Sequence, residues 1–297
     1  MHFSTENILQ PFHTTWLPAE TQAAMLRLDR LHPVVSGNKW FKLKYNLLAA
    51  TGRPVVTFGG AYSNHLVATA AACREQGIAC TGVVRGEQPA VPGHTLQQAG
   101  EMGMQLVFVS RDDYRRLTQQ GDASAVYRIT GARDAYVIPE GGHNALGVKG
   151  CEEILPLAGG ASFTHVICAV GTGTTLAGLI NSATSQQVTG ISVLKGAFSL
   201  NNSTAELIHP GNRTSWQLLH DFHEGGYGKI SERLIGDMND FYRQTTIQTD
   251  RVYTGKLVLA VRLLLAENFF PPGSRLLLIH SGGLQGNESL APGVLCY

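Results

Sequence analysis

Charge is scarce in this 297-residue chain and nearly cancels: 15% of residues are Asp, Glu, Lys or Arg, and the formal net charge is +1. With no basic excess to track a phosphate backbone, nucleic acid is not an expected partner. Cysteine is also sparse. Cys73, Cys80, Cys151, Cys168 and Cys296 form no Cys-x-x-Cys pair and are odd in number. That pattern argues against a disulfide framework, offers no metal-ligand spacing, and fits free thiols in a cytoplasmic protein. No apolar run approaches the roughly 20 residues that span a bilayer, so no membrane partner is expected. The opening stretch MHFSTENILQPFHTTW lacks the basic and apolar regions of a secretory leader.

Glycine is plentiful: 34 residues, grouped between short apolar runs as functional turns would be. The 43% share of Ala, Val, Ile, Leu, Met, Phe, Trp, Tyr and Cys is enough for a sizeable core. The length allows one large domain or two medium ones. No repeat and no Pro/Gly/Ser linker divides the chain.

Apolar runs alternate with helix-like segments. The composition predicts strands over 53–58, 78–84, 105–109, 135–139, 164–170, 188–194 and 275–280. Helices are predicted over 64–76, 94–103, 147–157, 176–184, 231–243 and 255–268. This rhythm implies βαβ units and a mostly parallel sheet covered on both faces. Sites in such sheets lie at the carboxyl ends of the strands, where the glycine clusters fall.

Five segments carry chemistry. In SGNKWFKLK (36–44), Gly37 and Asn38 suggest a tight turn presenting Lys39. A lysine forms a Schiff base with an aldehyde once burial or a neighbouring cation makes its amine neutral. The plain alternative is a basic turn opening a helix. GGAYSNH (59–65) stands between a strand and an Ala-rich helix. Ser63 or Asn64 would cap that helix, whose free N–H groups attract a carboxylate. Gly171, Thr172, Gly173, Thr174 and Thr175 follow a buried strand and can cradle a phosphate with N–H groups and hydroxyls. This loop is neither a Walker loop nor Gly-x-Gly-x-x-Gly. Tyr253-Thr254-Gly255-Lys256, with Gly226-Tyr227-Gly228 upstream, and His280-Ser281-Gly282-Gly283 are unremarkable taken singly.

In this order, the segments resemble the D-cysteine desulfhydrase / 1-aminocyclopropane-1-carboxylate (ACC) deaminase family, from about residue 26 to about residue 290. That family is a branch of the fold-type II, tryptophan-synthase-β-like enzymes that use pyridoxal 5′-phosphate (PLP). The resemblance implies two three-layer α/β/α domains with mostly parallel sheets: 1–47 with 157–297 as the large PLP-binding domain, and 48–156 as a small domain inserted in it. It also implies a homodimer and a small amino acid as substrate.

The resemblance implies roles as well. Lys39 would carry the cofactor, Asn64 would lie against its phenolic oxygen, and residues 171–175 would hold its phosphate. Ser63, Asn64 and His65 would bind the substrate carboxylate, with Ser63 also a nucleophile or acid/base candidate. Tyr227 and Tyr253 would face the substrate. ACC deaminases carry glutamate after the second tyrosine and leucine before the final Gly-Gly, where this chain has Thr254 and Ser281, both placed at the cofactor. A hydroxyl at the pyridine nitrogen makes a weaker electron sink than a carboxylate. Hydroxyls at both positions resemble the desulfhydrase side, so the expected reaction is D-cysteine to pyruvate, ammonia and sulfide. The rivals are ACC deamination, a racemase or ammonia-lyase of the same fold, and a non-catalytic phosphate-binding α/β protein. The stretch between 195 and 227 is shorter than in the usual members.

Overall fold

The computed structural model describes residues 7–120, 123–159 and 162–297. In chain order, the first half runs β1 (Leu9–Phe12), β2 (Gln22–Arg27), α1 (Asn38–Ala50), β3 (Val55–Gly59), α2 (Asn64–Gln76), β4 (Cys80–Arg85), α3 (His94–Glu101), β5 (Gln105–Val109), α4 (Arg111–Gln120), α5 (Ala123–Thr130), β6 (Tyr136–Ile138) and α6 (Ala145–Cys151). The second half runs β7 (His165–Val170), α7 (Thr174–Ser182), β8 (Gln187–Ser192), α8 (Leu200–Ala205), β9 (Trp216–Leu219), α9 (Glu232–Thr245), α10 (Thr254–Ala266) and β10 (Arg275–His280).

The strands form two sheets. The larger has the order β1-β2-β10-β7-β8-β9 and is parallel except for the β1–β2 pair. The smaller has the order β5-β4-β3-β6 and is parallel throughout. The expected α/β architecture with mostly parallel sheets is the one observed.

Both faces of the large sheet are buried, which is why its strands read as unbroken apolar runs. Met25, Ile167, Ala169, Leu276 and Leu278 pack under Phe241 of α9 and Leu257, Val261 and Leu264 of α10. From the same strands, Leu26, Val166, Cys168, Leu277 and Ile279 turn the other way, onto α1 and α7. That second core is continuous with one face of the small sheet, through Val55, Val84 and the Leu66–Ala72 face of α2. The far face of the small sheet, Val56, Phe58 and Val83, is covered by Tyr114 and Leu117 of α4 and Val126 of α5. α1 and α6 cross at Gly150, where a Cβ would lie 1.8 Å from the Phe41 carbonyl oxygen, so only glycine permits this contact.

The predicted strand over 105–109, the strand over 275–280 and the helix over 64–76 match the observed bounds. The helix expected over 147–157 instead ends at Cys151 and is followed by a 3-10 turn at Leu155–Ala158, where Pro156 lacks the N–H that a continuing helix needs. The sequence reading left β1, β2, α1, α4, α5, α8 and β9 unassigned; β1 and β9 are four-residue strands at the two edges of the large sheet.

Candidate active site

The chemistry-bearing loops meet at one place because every parallel strand delivers its carboxyl end there. β3, β4, β6, β7 and β10 are followed respectively by Gly60–Ser63, Gly86, Glu140, Gly171–Gly173 and Ser281, and all of these line a single cleft of about 870 Å³. Lys39, at the start of α1, lines it too, as do Tyr227 and Tyr253.

Lys39 follows a turn that only glycine permits. Gly37 has φ +67°, and a Cβ there would lie 1.9 Å from the Ser281 carbonyl oxygen. The Asn38 N–H donates to that same oxygen at 3.3 Å, so the 36–38 and 281–283 loops interlock. The Lys39 ammonium donates to Asn38 Oδ1 at 2.7 Å, and Asn38 Nδ2 donates to Thr175 Oγ1 at 2.8 Å. Asn38 therefore couples the lysine to the glycine–threonine loop. Burial, reinforced by the charge of Lys42, lowers the Lys39 pKa to about 7. A large fraction of this amine is neutral near pH 7, the state a Schiff-base lysine needs.

Ser63 occupies the N-cap position of α2 but makes no side-chain capping bond, so its hydroxyl is not spent on the helix and faces the cleft. Asn64 and His65 open the helix. His65 Nε2 lies 2.9 Å from Thr57 Oγ1, and Thr57 gives its own proton to the Ile138 carbonyl at 2.9 Å. The imidazole must then donate through Nε2–H, leaving Nδ1 as an acceptor with no partner among the described residues. Burial, with the charges of Lys39 and Lys42, lowers its pKa to about 3, so the ring is neutral.

Gly171, Thr172, Gly173 and Thr175 line the cleft; Thr174 does not. Thr174 is fully buried, with Oγ1 held by Thr172 Oγ1 at 3.1 Å and His143 Nδ1 at 3.2 Å. Gly173 stands at the N-terminus of α7 with φ +83°, and a Cβ there would meet Thr204 Oγ1 at 2.3 Å. The first-turn N–H groups of α7 are left without helical acceptors. This cradle suits a phosphate.

Tyr227 and Tyr253 meet edge to face, with ring centroids 6.2 Å apart, and Lys39 Nζ lies 5.9 Å from the Tyr253 ring centre. Burial first, then the neighbouring phenol, pushes the Tyr253 pKa well up, so this hydroxyl is protonated at neutral pH. Ser281 lines the cleft, whereas Thr254 is not among the lining residues. The Thr254 hydroxyl donates to Asp250 Oδ1 at 2.7 Å and accepts from the Asp250 N–H at 2.7 Å.

Four residues at the site escaped the sequence reading. Asp250 is fully buried, and its carboxylate accepts N–H bonds from Val252, Tyr253 and Thr254 at 2.8–2.9 Å, fixing the turn that carries Tyr253. Its signal was an aspartate two to four residues ahead of N–H groups at a helix start. Lys42 stands one helical turn beyond Lys39, is 5% exposed and lines the cleft. Asn38 and Glu140 were read only as loop residues. The cleft fits PLP on these observations: a depressed lysine amine, a glycine–threonine cradle and a second buried lysine to meet a dianion.

A family model described as pyridoxal-phosphate dependent enzyme matches residues 15–282, so this chain belongs to that family and is a PLP enzyme. Within it, the chain falls among the ACC deaminase and D-cysteine desulfhydrase relatives. A Thermotoga maritima protein provisionally named 1-aminocyclopropane-1-carboxylate deaminase is 30% identical over 279 residues, covering 88% of each chain. An Arabidopsis thaliana mitochondrial protein, named bifunctional D-cysteine desulfhydrase/1-aminocyclopropane-1-carboxylate deaminase, is 26% identical, covering 96% of this chain and 78% of its own. A solved ACC deaminase homologue superposes with a TM-score of 0.78 at 24% identity, covering 97% of this chain and 91% of its own. That likeness establishes the α/β fold of fold-type II PLP enzymes.

Proposed function

We propose that the chain eliminates a β-substituent from a small amino acid and deaminates the remainder to a 2-oxo acid, with D-cysteine as the leading substrate. The observation that carries this reading is the Lys39 amine, held near neutrality beside Tyr253, with the Ser281 hydroxyl in the cleft where the ACC deaminases that the chain resembles carry leucine. The second reading is ACC deamination, favoured by the names of several relatives.

When bound, PLP supplies an aldehyde for the amino nitrogen and an electron sink for the carbon beside it. Lys39 would hold it. The 171–175 loop, the α7 N-terminus and the Lys42 ammonium would take its phosphate, and Asn64 would meet its phenolic oxygen. Ser63, Asn64 and the main-chain N–H of His65 would bind the substrate carboxylate at the α2 N-terminus. The His65 ring, neutral and protonated on Nε2, is there to position this loop against Thr57. The freed Lys39 amine would take the α-proton. Tyr253 and Tyr227, both protonated, would orient the substrate and return a proton. Residues 48–156 would act as the small domain that closes over the cleft and excludes water. The reading includes a cytoplasmic homodimer.

The test is 2-oxo acid release by the PLP-loaded protein from D-cysteine, with L-cysteine, ACC and D-serine in parallel. Turnover of D-cysteine alone is expected. Turnover of ACC alone would hand the site to the second reading, and inversion of an enantiomer without 2-oxo acid would make the protein a racemase. A protein that stays colourless with PLP would overturn the assignment of Lys39.

A further inference from the structure

The wall of the cleft opposite Lys39 sorts its charges by sign. Arg111, Tyr114, Arg115 and Thr118 recur at the spacing of one helix face, and that face of α4 lines the cleft. The aspartates of the same helix, Asp112 and Asp113, are absent from the lining. Arg85 joins this wall from the end of β4. Its guanidinium lies 5.4 Å from the Tyr114 ring centre, and its Nη2 is 3.5 Å from where a Gly60 Cβ would stand, beside the loop of Ser63 and Asn64. Neither Arg85 nor Arg111 has an ion pair among the described residues, and Arg115 has one at 3.6 Å, to an exposed Asp112. Tyr114 is 3% exposed, and its buried hydroxyl lies against the Glu140 carboxylate. Glu140 is the one acidic residue in a lining that also holds Lys39, Lys42 and these three arginines. A cofactor phosphate and an α-carboxylate would occupy the lysines and the α2 N-terminus, leaving the arginine wall facing whatever the substrate carries beyond its β-carbon.

We infer that this wall is a subsite for a second anionic group, so that amino acids bearing a phosphate or sulfonate on the β-carbon are turned over in preference to their neutral counterparts, and a side-chain carboxylate binds there without being expelled. This inference rests on the elimination reading of the same site and extends it to anionic leaving groups. Guanidinium groups match such oxyanions in pairs of N–H donors. They also favour departure of the group as an anion. With O-phosphoserine, the α-proton passes to the enzyme and the Cβ–O bond breaks with its electron pair on the departing phosphate. Water then hydrolyses the released 2-aminoacrylate to pyruvate and ammonia. One water is consumed for each phosphate, pyruvate and ammonia formed, and no oxidant or reductant is needed.

The test has a kinetic and a binding arm, both on the PLP-loaded protein at low ionic strength. Pyruvate release is compared for serine and O-phosphoserine in both enantiomers. Calorimetry compares aspartate with asparagine, its neutral isostere. In the unmodified protein, kcat/KM should favour the phosphate ester over serine at least tenfold, and aspartate should bind at least tenfold more tightly than asparagine. Arg111→Gln combined with Arg115→Gln should bring both ratios to within about threefold of one, chiefly by raising KM, and 0.5 M salt should act in the same direction. Both residues are exposed on α4, so folding is not at stake. No turnover of either amino acid, with the aspartate preference intact, would sink the elimination reading and leave the anion subsite standing. Equal binding of aspartate and asparagine by the unmodified protein would sink the subsite whatever the turnover. The same follows if the double variant keeps the preference.

Discussion

The two sides of the cleft are built differently. On the large-sheet side the loops leave no room. A Cβ on Gly37, Gly173 or Gly282 would approach another residue to 1.9, 2.3 or 2.9 Å, and Asp250 gathers three consecutive N–H groups into one carboxylate. On the small-sheet side Gly59 and Gly141 are as tightly held, with a Cβ at 2.6 Å from Ser63 and 2.8 Å from Thr172, but the outer turns are slack. A Cβ on Gly60 would meet only the tip of Arg85 at 3.5 Å, one on Gly86 would meet nothing within 4 Å, and Tyr62 is 64% exposed. Contacts that bridge the sides include His32 to Glu75 at 2.9 Å, His94 to Glu288 at 2.8 Å, His143 Nδ1 to Thr174 Oγ1 at 3.2 Å and Tyr227 Oη to the Tyr62 carbonyl at 3.5 Å.

The largest effect should come from the large-sheet side, the locked one. Lys39→Ala removes the amine that holds the cofactor, and activity should fall by ~10³-fold or more, the scale of losing a covalent catalyst. The visible absorbance of bound PLP should vanish with it. A variant that kept this absorbance would move the attachment point elsewhere. Next comes the glycine pair. Gly37→Ala places a methyl group on the Ser281 carbonyl at a left-handed φ, and chemical denaturation should show a loss of about 2–4 kcal/mol. Gly60→Ala should cost less than ~1 kcal/mol, because its neighbour is a mobile side-chain tip. Equal costs for the two would break the contrast.

Asp250→Asn probes the same side more gently. The amide keeps one acceptor oxygen where the carboxylate served Thr254 Oγ1 and three N–H groups with two. A loss of ~1–3 kcal/mol is expected, as for buried donors left short of an acceptor. Tyr253 would lose its fixed place, so kcat should fall by more than the binding of PLP does.

The sequence made the glycine loops on both sides legible and left the α4 wall blank. SGNK, GTGTT and the final SGG announced themselves because tight turns demand glycine, and β7 and β10 read as strands because burial on both faces makes them continuously apolar. GGAYSNH marked the small-sheet side in the same way, but the α4 wall had no such marks. Tyr114 is one of two strongly buried residues in the described part of α4, and a helix that reads RDDYRRLTQQ passes for a solvated stretch. Asp250 hid for another reason: its partners are main-chain N–H groups, which every residue possesses. Thr254 illustrates the limit of motif transfer. Its place in the motif put its hydroxyl at the cofactor, and the fold commits that hydroxyl to Asp250.

The smallest effect concerns the charge on Lys39. An ordinary lysine, with a pKa near 10.4, gains free amine about tenfold per pH unit all the way through pH 9. Lys39 has its pKa lowered to about 7 by burial and by Lys42, so its free amine rises steeply only below that point. The rate at which the apoprotein captures PLP should climb roughly tenfold between pH 6 and 8 and then level off. The sign for folding follows from the same shift. Between about pH 7 and 10.5 the unfolded lysine holds a proton that the folded one has released, so this group adds stability as pH rises through that window and penalises the fold fully below it. Lys42→Met removes the neighbouring charge and should move the capture midpoint upward. A midpoint that stayed in place would assign the whole depression to burial, and capture that kept rising tenfold per unit to pH 9 would mean that the amine is open to water and that the locked side is looser than its contacts imply.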